Sequence, residues 1–222
     1  MFISKIYNDS MGQYFTLVNL DKKEYVSPWD INGGAKLWEW MANLDECGVI
    51  FALILDRWSN DKITLVGDYD ESKLYDKVYN EKQKYKNISS TAQSLFKKVF
   101  DTITLSADAT VSTTKPFSNK KFNVSKDVAS YAEPKNEKVK TKYYLINTDT
   151  NEYVTGTIKQ LSICLPLLIR QSNESGGGDI QEDYKSAGLF SQHRLKITEQ
   201  EPEKGKNITP LVFNEAFDFY KT

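Results

Sequence analysis

One stretch of the chain occurs twice. Phe15-Thr16-Leu17-Val18-Asn19-Leu20-Asp21-Lys22-Lys23-Glu24-Tyr25-Val26-Ser27 returns as Tyr143-Tyr144-Leu145-Ile146-Asn147-Thr148-Asp149-Thr150-Asn151-Glu152-Tyr153-Val154-Thr155, at a constant offset of 128 residues. Two shorter matches follow in the same order. Trp58-Ser59-Asn60-Asp61-Lys62-Ile63-Thr64-Leu65 aligns with Phe190-Ser191-Gln192-His193-Arg194-Leu195-Lys196-Ile197, and Lys86-Asn87-Ile88-Ser89 with Lys206-Asn207-Ile208-Thr209. Ordered self-similarity of this kind predicts a duplicated unit, and each unit then has to fold from the same local signals.

Those signals read as β-β-α-β-α. Apolar residues through Tyr14 to Val18, a polar turn at Leu20 to Lys23 and a return through Glu24 to Ser27 predict a hairpin. Thr148 to Asn151 is the turn of the second copy. Leu37, Trp38, Met41 and Leu44 then recur at helical spacing, as do Ile158, Leu161, Ser162 and Leu165, with Pro166 expected to end or kink the second helix. Alternating apolar residues predict strands over 62–66 and 194–198. Ser89 and Thr209 are expected to cap a final helix. Its apolar face is Ala92, Leu95, Phe96, Val99 and Phe100 in one unit, and Phe213, Ala216, Phe217 and Tyr220 in the other. The expected fold class is α+β: two duplicated units packed as a pseudo-twofold pair, with hairpin edges open to pair between units or molecules. Unit one spans 11–105 and unit two 142–222. Between them, 106–141 is polar and aperiodic and reads as a linker.

Composition narrows the chemistry. Lys plus Arg is 29 and Asp plus Glu is 30 in 222 residues, which argues against a strongly basic nucleic-acid or membrane-surface binder. One His and two Cys cannot build a four-ligand zinc site without carboxylates, so no metal and no cofactor is expected. No run approaches the roughly 20 apolar residues of a membrane span, and the first ten residues lack a signal h-region. A cytoplasmic location follows as an expectation, with Cys47 and Cys164 as buried, reduced thiols.

Met11-Gly12-Gln13-Tyr14-Phe15, Val18-Asn19-Leu20-Asp21-Lys22-Lys23-Glu24-Tyr25, Trp58-x-x-Asp61-x-Ile63 and Gly67-Asp68-Tyr69 together resemble an uncharacterised family of bacteria, phages, fungi and amoeboid protists. Its pattern opens Met-Gly-Gln-Tyr-aromatic and later carries Trp-Ala-Gly-Asp-Arg-Ile and Gly-Asp-Tyr. The resemblance covers residues 11 to about 90, implies that 1–10 is an extension, and implies no activity. Asn60 stands where the family has Gly, which suits a left-handed turn position that Asn tolerates. Gly176-Gly177-Gly178-Asp179 resembles a Gly-rich segment of longer members.

Four places are candidate sites. Trp58, Asp61, Asp68 and Tyr69, with Asp70, set acids beside aromatics around one strand, as a cation or polar-ligand site would. At seven residues' separation the two acids lie about 20 Å apart along a strand, too far to chelate one ion. Gly176 to Asp179 lacks the Lys-Ser/Thr of a phosphate loop and is flanked by acids. His193 has Ser191 two residues away but no nucleophile elbow. Asn19, Asp21, Glu24 and Tyr25 recur as Asn147, Asp149, Glu152 and Tyr153, and read as turn chemistry or as paired interaction surfaces at the hairpin tips. No catalytic constellation is evident. The leading expectation is a non-catalytic binding or self-assembly protein, a homo-oligomer or the partner of another protein. Two alternatives stay open. One is a small-ligand binder or hydrolase using the inter-unit cleft, with Asp61, Asp68, Tyr69 or His193 lining it. The other is a phage or host defence or counter-defence factor.

Overall fold

The computed structural model describes residues 13–81, 84–107, 141–171 and 184–218. The proposed extension 1–10, nearly all of the proposed linker, Gly176 to Asp179, and Tyr220 lie outside them. The described chain is a mixed α+β fold with a mixed sheet. Its strands are β1 (Phe15–Asn19), β2 (Glu24–Val26), β3 (Asp61–Gly67), β4 (Lys86–Asn87), β5 (Tyr143–Asn147), β6 (Glu152–Gly156), β7 (Arg170–Gln171), β8 (His193–Thr198) and β9 (Lys206–Asn207). The helices are α1 (Leu37–Ala42), α2 (Leu44–Leu55), α3 (Leu74–Asn80), α4 (Ser89–Ala107), α5 (Ile158–Leu168) and α6 (Thr209–Asp218), with a 3-10 turn at Pro28–Ile31. The sheet order is β4-β2-β1-β3-β8-β5-β6-β9, and β7 adds to β3.

The hairpins β1–β2 and β5–β6 are antiparallel, and β4 and β9 join them in parallel at their outer edges. The halves therefore do not meet through hairpin edges. They meet where β3 and β8 run antiparallel, with Lys62 opposite Arg194. The physical reason is that each hairpin's outer edge is already satisfied. Lys86 N and Lys206 N donate to the turn carbonyls of Lys23 and Asn151, both at 2.8 Å.

Side chains alternate across the strands, so one sheet face collects Phe15, Leu17, Val26, Ile63, Leu65, Leu145, Val154, Leu195 and Ile197. The helices other than α3 close this face with Trp40, Phe51, Ile54, Leu161, Leu165 and Ala216. Each fully buried Leu or Ile contributes about 1.5–3 kcal/mol relative to exposure. Helix α2 reads as a near-continuous apolar run because it is buried on all sides, between the sheet, α4 and α5. The opposite face is covered in the first half, where α3 sets Leu74 and Val78 over Val18, Tyr25 and Val66. In the second half residues 199–205 join β8 to β9 without a helix. There Tyr144 packs on Tyr153 at 6.0 Å, and exposed Lys196 and half-exposed Thr198 meet solvent.

Several local expectations change. Helix α5 runs through Pro166 to Leu168, so the proline does not end it but only withholds one N–H from Ser162 O. Ser89 and Thr209 do not cap their helices. Their hydroxyls accept from Ser27 N (3.0 Å) and Thr155 N (2.8 Å), tying helix to strand, while Asn87 and Asn207 accept from Ser89 N and Thr209 N, both at 2.9 Å. Helices α2 and α3 were not foreseen. Cys47 and Cys164 are buried free thiols, and burial pushes both thiols up.

Candidate functional site

The β3–β8 seam gathers six of the singled-out residues: Asn19, Asp21, Asp61, Asn147, Asp149 and His193. Asp21, in the β1–β2 turn, accepts from Lys62 N at 3.0 Å and pairs with Arg194 across the seam. Asp149, in the β5–β6 turn, accepts from Arg194 N at 2.9 Å. Asp61 accepts from Asn19 Nδ2 at 2.8 Å and pairs with Lys22. Asn147 Nδ2 lies 2.7 Å from His193 Nδ1. The amide's orientation follows from its other end, since Asn147 Oδ1 accepts from Asp149 N and Thr150 N at 3.1 and 3.3 Å. Nδ2 therefore faces the imidazole, and Nδ1 accepts. The Ser191 hydroxyl bonds Thr64 Oγ1 at 2.9 Å.

The backbone explains why these side chains converge. Asn60 and Gln192 take φ of 64° and 61°, turning the chain sharply into β3 and β8. Asn60 N then donates to Leu195 O at 2.7 Å, and Gln192 N to Ile63 O at 2.8 Å.

The remaining candidates stand apart. Trp58 is fully buried, and its Nε1 donates to Glu24 Oε2 at 2.8 Å. Glu24 also pairs with Arg57. Burial alone would raise the Glu24 carboxyl, but the Arg57 and Trp58 donors outweigh it and hold it below its ordinary value. Tyr25 meets Tyr79 at 5.6 Å, and Glu152 pairs with Lys206 at 3.2 Å. Asp68 lies just past the far end of β3 from Asp61, about 20 Å along the strand.

Asp68 belongs to a different corner. Tyr14 N donates to its Oδ1 at 3.0 Å, and Asp68 N donates back to Tyr14 O at 2.9 Å. Gln13 is buried against Gly67, where a Cβ would sit 2.4 Å from its Nε2. The Gln13-Tyr14 and Gly67-Asp68-Tyr69 segments therefore interlock. Tyr14 also meets Trp29 edge to face, at 5.8 Å and 67°. Trp29 is 56% exposed, the most open of the large apolar side chains described. Burial, with Asp76 nearby, pushes the Asp68 carboxyl up, against the Tyr14 N–H that lowers it. Half-buried Tyr69 adjoins this corner. Buried Asp70 instead accepts from Ser72 N (3.0 Å) and Gln171 Nε2 (3.1 Å).

Tyr14, Trp29 and Arg194 were not among the site candidates that the sequence offered. Pro28 directly after a strand was a usable signal, because it opens a short helix whose next side chain points outward. Among the described residues no three His, Cys, Asp or Glu side chains are grouped to hold a metal ion. Among them too, no helix is long and apolar enough to cross a membrane. No family model, no curated protein and no solved structure matches this chain.

Proposed function

We propose that this chain is a non-catalytic binding protein, built from two copies of one β-β-α-β-α unit packed as a pseudo-twofold pair, that acts through its surface on a protein partner. The twofold reading is supported by the seam, where aligned residues make aligned bonds: Asp21 and Asp149 to strand amides, Leu20 N and Thr148 N to Lys62 O and Arg194 O, Asn60 and Gln192 across to the other strand. The binding reading is carried by one contrast. The polar candidates at the seam are engaged in bonds within the scaffold, whereas Trp29 is both fixed and exposed. Continuation of the sheet into a second molecule is the less favoured route, because both ends are two-residue strands carrying exposed Lys86 and Lys206.

Native mass measurement over a range of concentrations, alone and with candidate partners, tests the reading. The expected result is association that Trp29→Ser abolishes, with no small molecule carried at unit stoichiometry. A carried small ligand, or association indifferent to Trp29, counts against it.

A further inference from the structure

We propose that the corner of Trp29, Tyr14 and Asp68 is a docking site for an arginine side chain of a partner protein. The inference deepens the binding reading above and rests on it. Its first support is rigidity. Trp29 follows buried Pro28 in a 3-10 turn closed by Gly33 N donating to Pro28 O at 2.9 Å. Asn87 Nδ2 holds the adjacent Asp30 at 2.6 Å, and the Tyr14 and Trp29 rings pack edge to face. An exposed tryptophan already held in place loses little freedom on binding, which is how interface anchors behave.

The second support is charge. Tyr14 carries Trp29 on its ring and Asp68 on its backbone, so the indole and the carboxylate flank one residue. Asp30 directly follows Trp29, Asp76 acts on the Asp68 carboxyl, and Lys77 Nζ is turned to Ser72 O at 3.2 Å. Burial and Asp76 already disfavour a bare Asp68 carboxylate, so an incoming cation relieves it. A guanidinium suits this pairing better than an ammonium, because its plane stacks on an indole while its edge donates to a carboxylate. Nucleic acid would bring phosphates against these acids. A second copy is also disfavoured, since the chain's arginines Arg57, Arg170 and Arg194 each have an interaction within their own fold.

Nitrogen-15 correlation spectra of the full chain resolve the indole N–H signals, and Trp29→Phe assigns the one that matters. The probe is a capped Gly-Arg-Gly peptide, with its neutral citrulline analogue and a short oligothymidylate as controls. The expected result is a saturable shift of the Trp29 signal by the arginine peptide, with Kd on the order of millimolar, weakened by added salt. Asp68→Asn keeps an oxygen for Tyr14 N and should weaken binding about threefold. The salt dependence of the wild-type chain supplies the same test should that variant fold poorly. No Trp29 shift, an oligothymidylate response without an arginine response, or insensitivity to both salt and Asp68→Asn overturns the proposal. An equal response to citrulline also overturns the arginine assignment but leaves Trp29 as a binding surface. A carried small ligand in the native mass measurement instead removes the wider reading.

Discussion

Lys62 and Arg194 stand directly opposite each other where β3 meets β8. Like charges in that relation repel, and Asp21 answers both: it accepts from the Lys62 amide and pairs with the Arg194 side chain. Asp149 makes the aligned amide bond, and among the described residues no ion pair crosses the seam from it. Asp21→Ala should therefore cost about 1–2 kcal/mol and Asp149→Ala about 0.5–1, the pair being discounted for its exposure. Denaturant midpoints measure the difference, and equal losses would show that the cross-seam pair contributes nothing. Burial would raise the Asp21 carboxyl, but the Lys62 amide and Arg194 prevail and lower it from 3.8. Its contribution is thus present above that value and lost as pH falls through the lower, folded one.

Glu46 gives the opposite pH dependence. Its Oε1 accepts from Gly34 N at 2.9 Å and Asn43 Nδ2 at 2.7 Å, while its Oε2 is buried without a partner. Burial, reinforced by Glu39 and Asp45, pushes the carboxyl from 4.5 up to about 8, against the two donors. Between those values the folded chain holds a proton that the unfolded chain releases. The Glu46 contribution is therefore greatest below 4.5 and should fall by about 1.4 kcal/mol per pH unit until the folded group ionises. Glu46→Gln keeps the accepting oxygen and should remove that slope. Urea unfolding across pH 5–8 checks it, and a slope that survives the substitution would place its origin elsewhere.

What the sequence disclosed was set by periodicity and repetition. Both hairpins, both seam strands and the last helix of each half had a period or an aligned copy to announce them. Helix α2 had neither: Cys47 through Leu55 is apolar on every side because every side is buried, and such a run carries no helical period. Helix α3 has no aligned counterpart, and β4 and β9, although they lie in an aligned match, are like β7 too short for a period that marks a strand. The seam cluster was half legible. Asp21 and Asp149 were found from the repeat, Asp61 as an acid flanking a strand and His193 as the lone histidine, but their convergence depends on β3 pairing with β8, a long-range choice that no local signal fixes. Trp29 was hidden by the ordinary expectation that tryptophan is core, which Trp40 and Trp58 do satisfy.

Gly48 of α2 packs directly beneath two phenylalanines of α4. A Cβ there would sit 2.5 Å from Phe96 Cε2 and 3.0 Å from Phe100 Cζ. Alanine normally gains about 1 kcal/mol over glycine inside a helix. Here the crowding should outweigh that gain, so Gly48→Ala is expected to destabilise by about 1–3 kcal/mol. Adding Phe96→Leu should recover part of the loss, which a double-mutant cycle on unfolding free energies would read as favourable coupling. Simple additivity would mean that the helices adjust without meeting at Phe96.

The aligned pair Trp58 and Phe190 separates shape from hydrogen bonding. Both are fully buried at the entry to a seam strand, where Trp58 N donates to Leu53 O at 2.7 Å and Phe190 N to Leu168 O at 2.8 Å. They differ in the indole N–H, which Trp58 gives to Glu24. Trp58→Phe keeps a ring in the core but withdraws one donor from a nearly buried carboxylate that Arg57 still holds. The expected cost is about 1–3 kcal/mol. Glu24→Gln in the Trp58→Phe background should then cost less than Glu24→Gln alone, because one of the donors that favour the charge is already gone. Phe190→Ala, in contrast, removes packing and should cost about 3–5 kcal/mol whatever happens at Glu152. Thermal and denaturant unfolding of the four variants decide it. If Trp58→Phe proves neutral, the Glu24 contact is incidental and the ring alone supports the turn into β3.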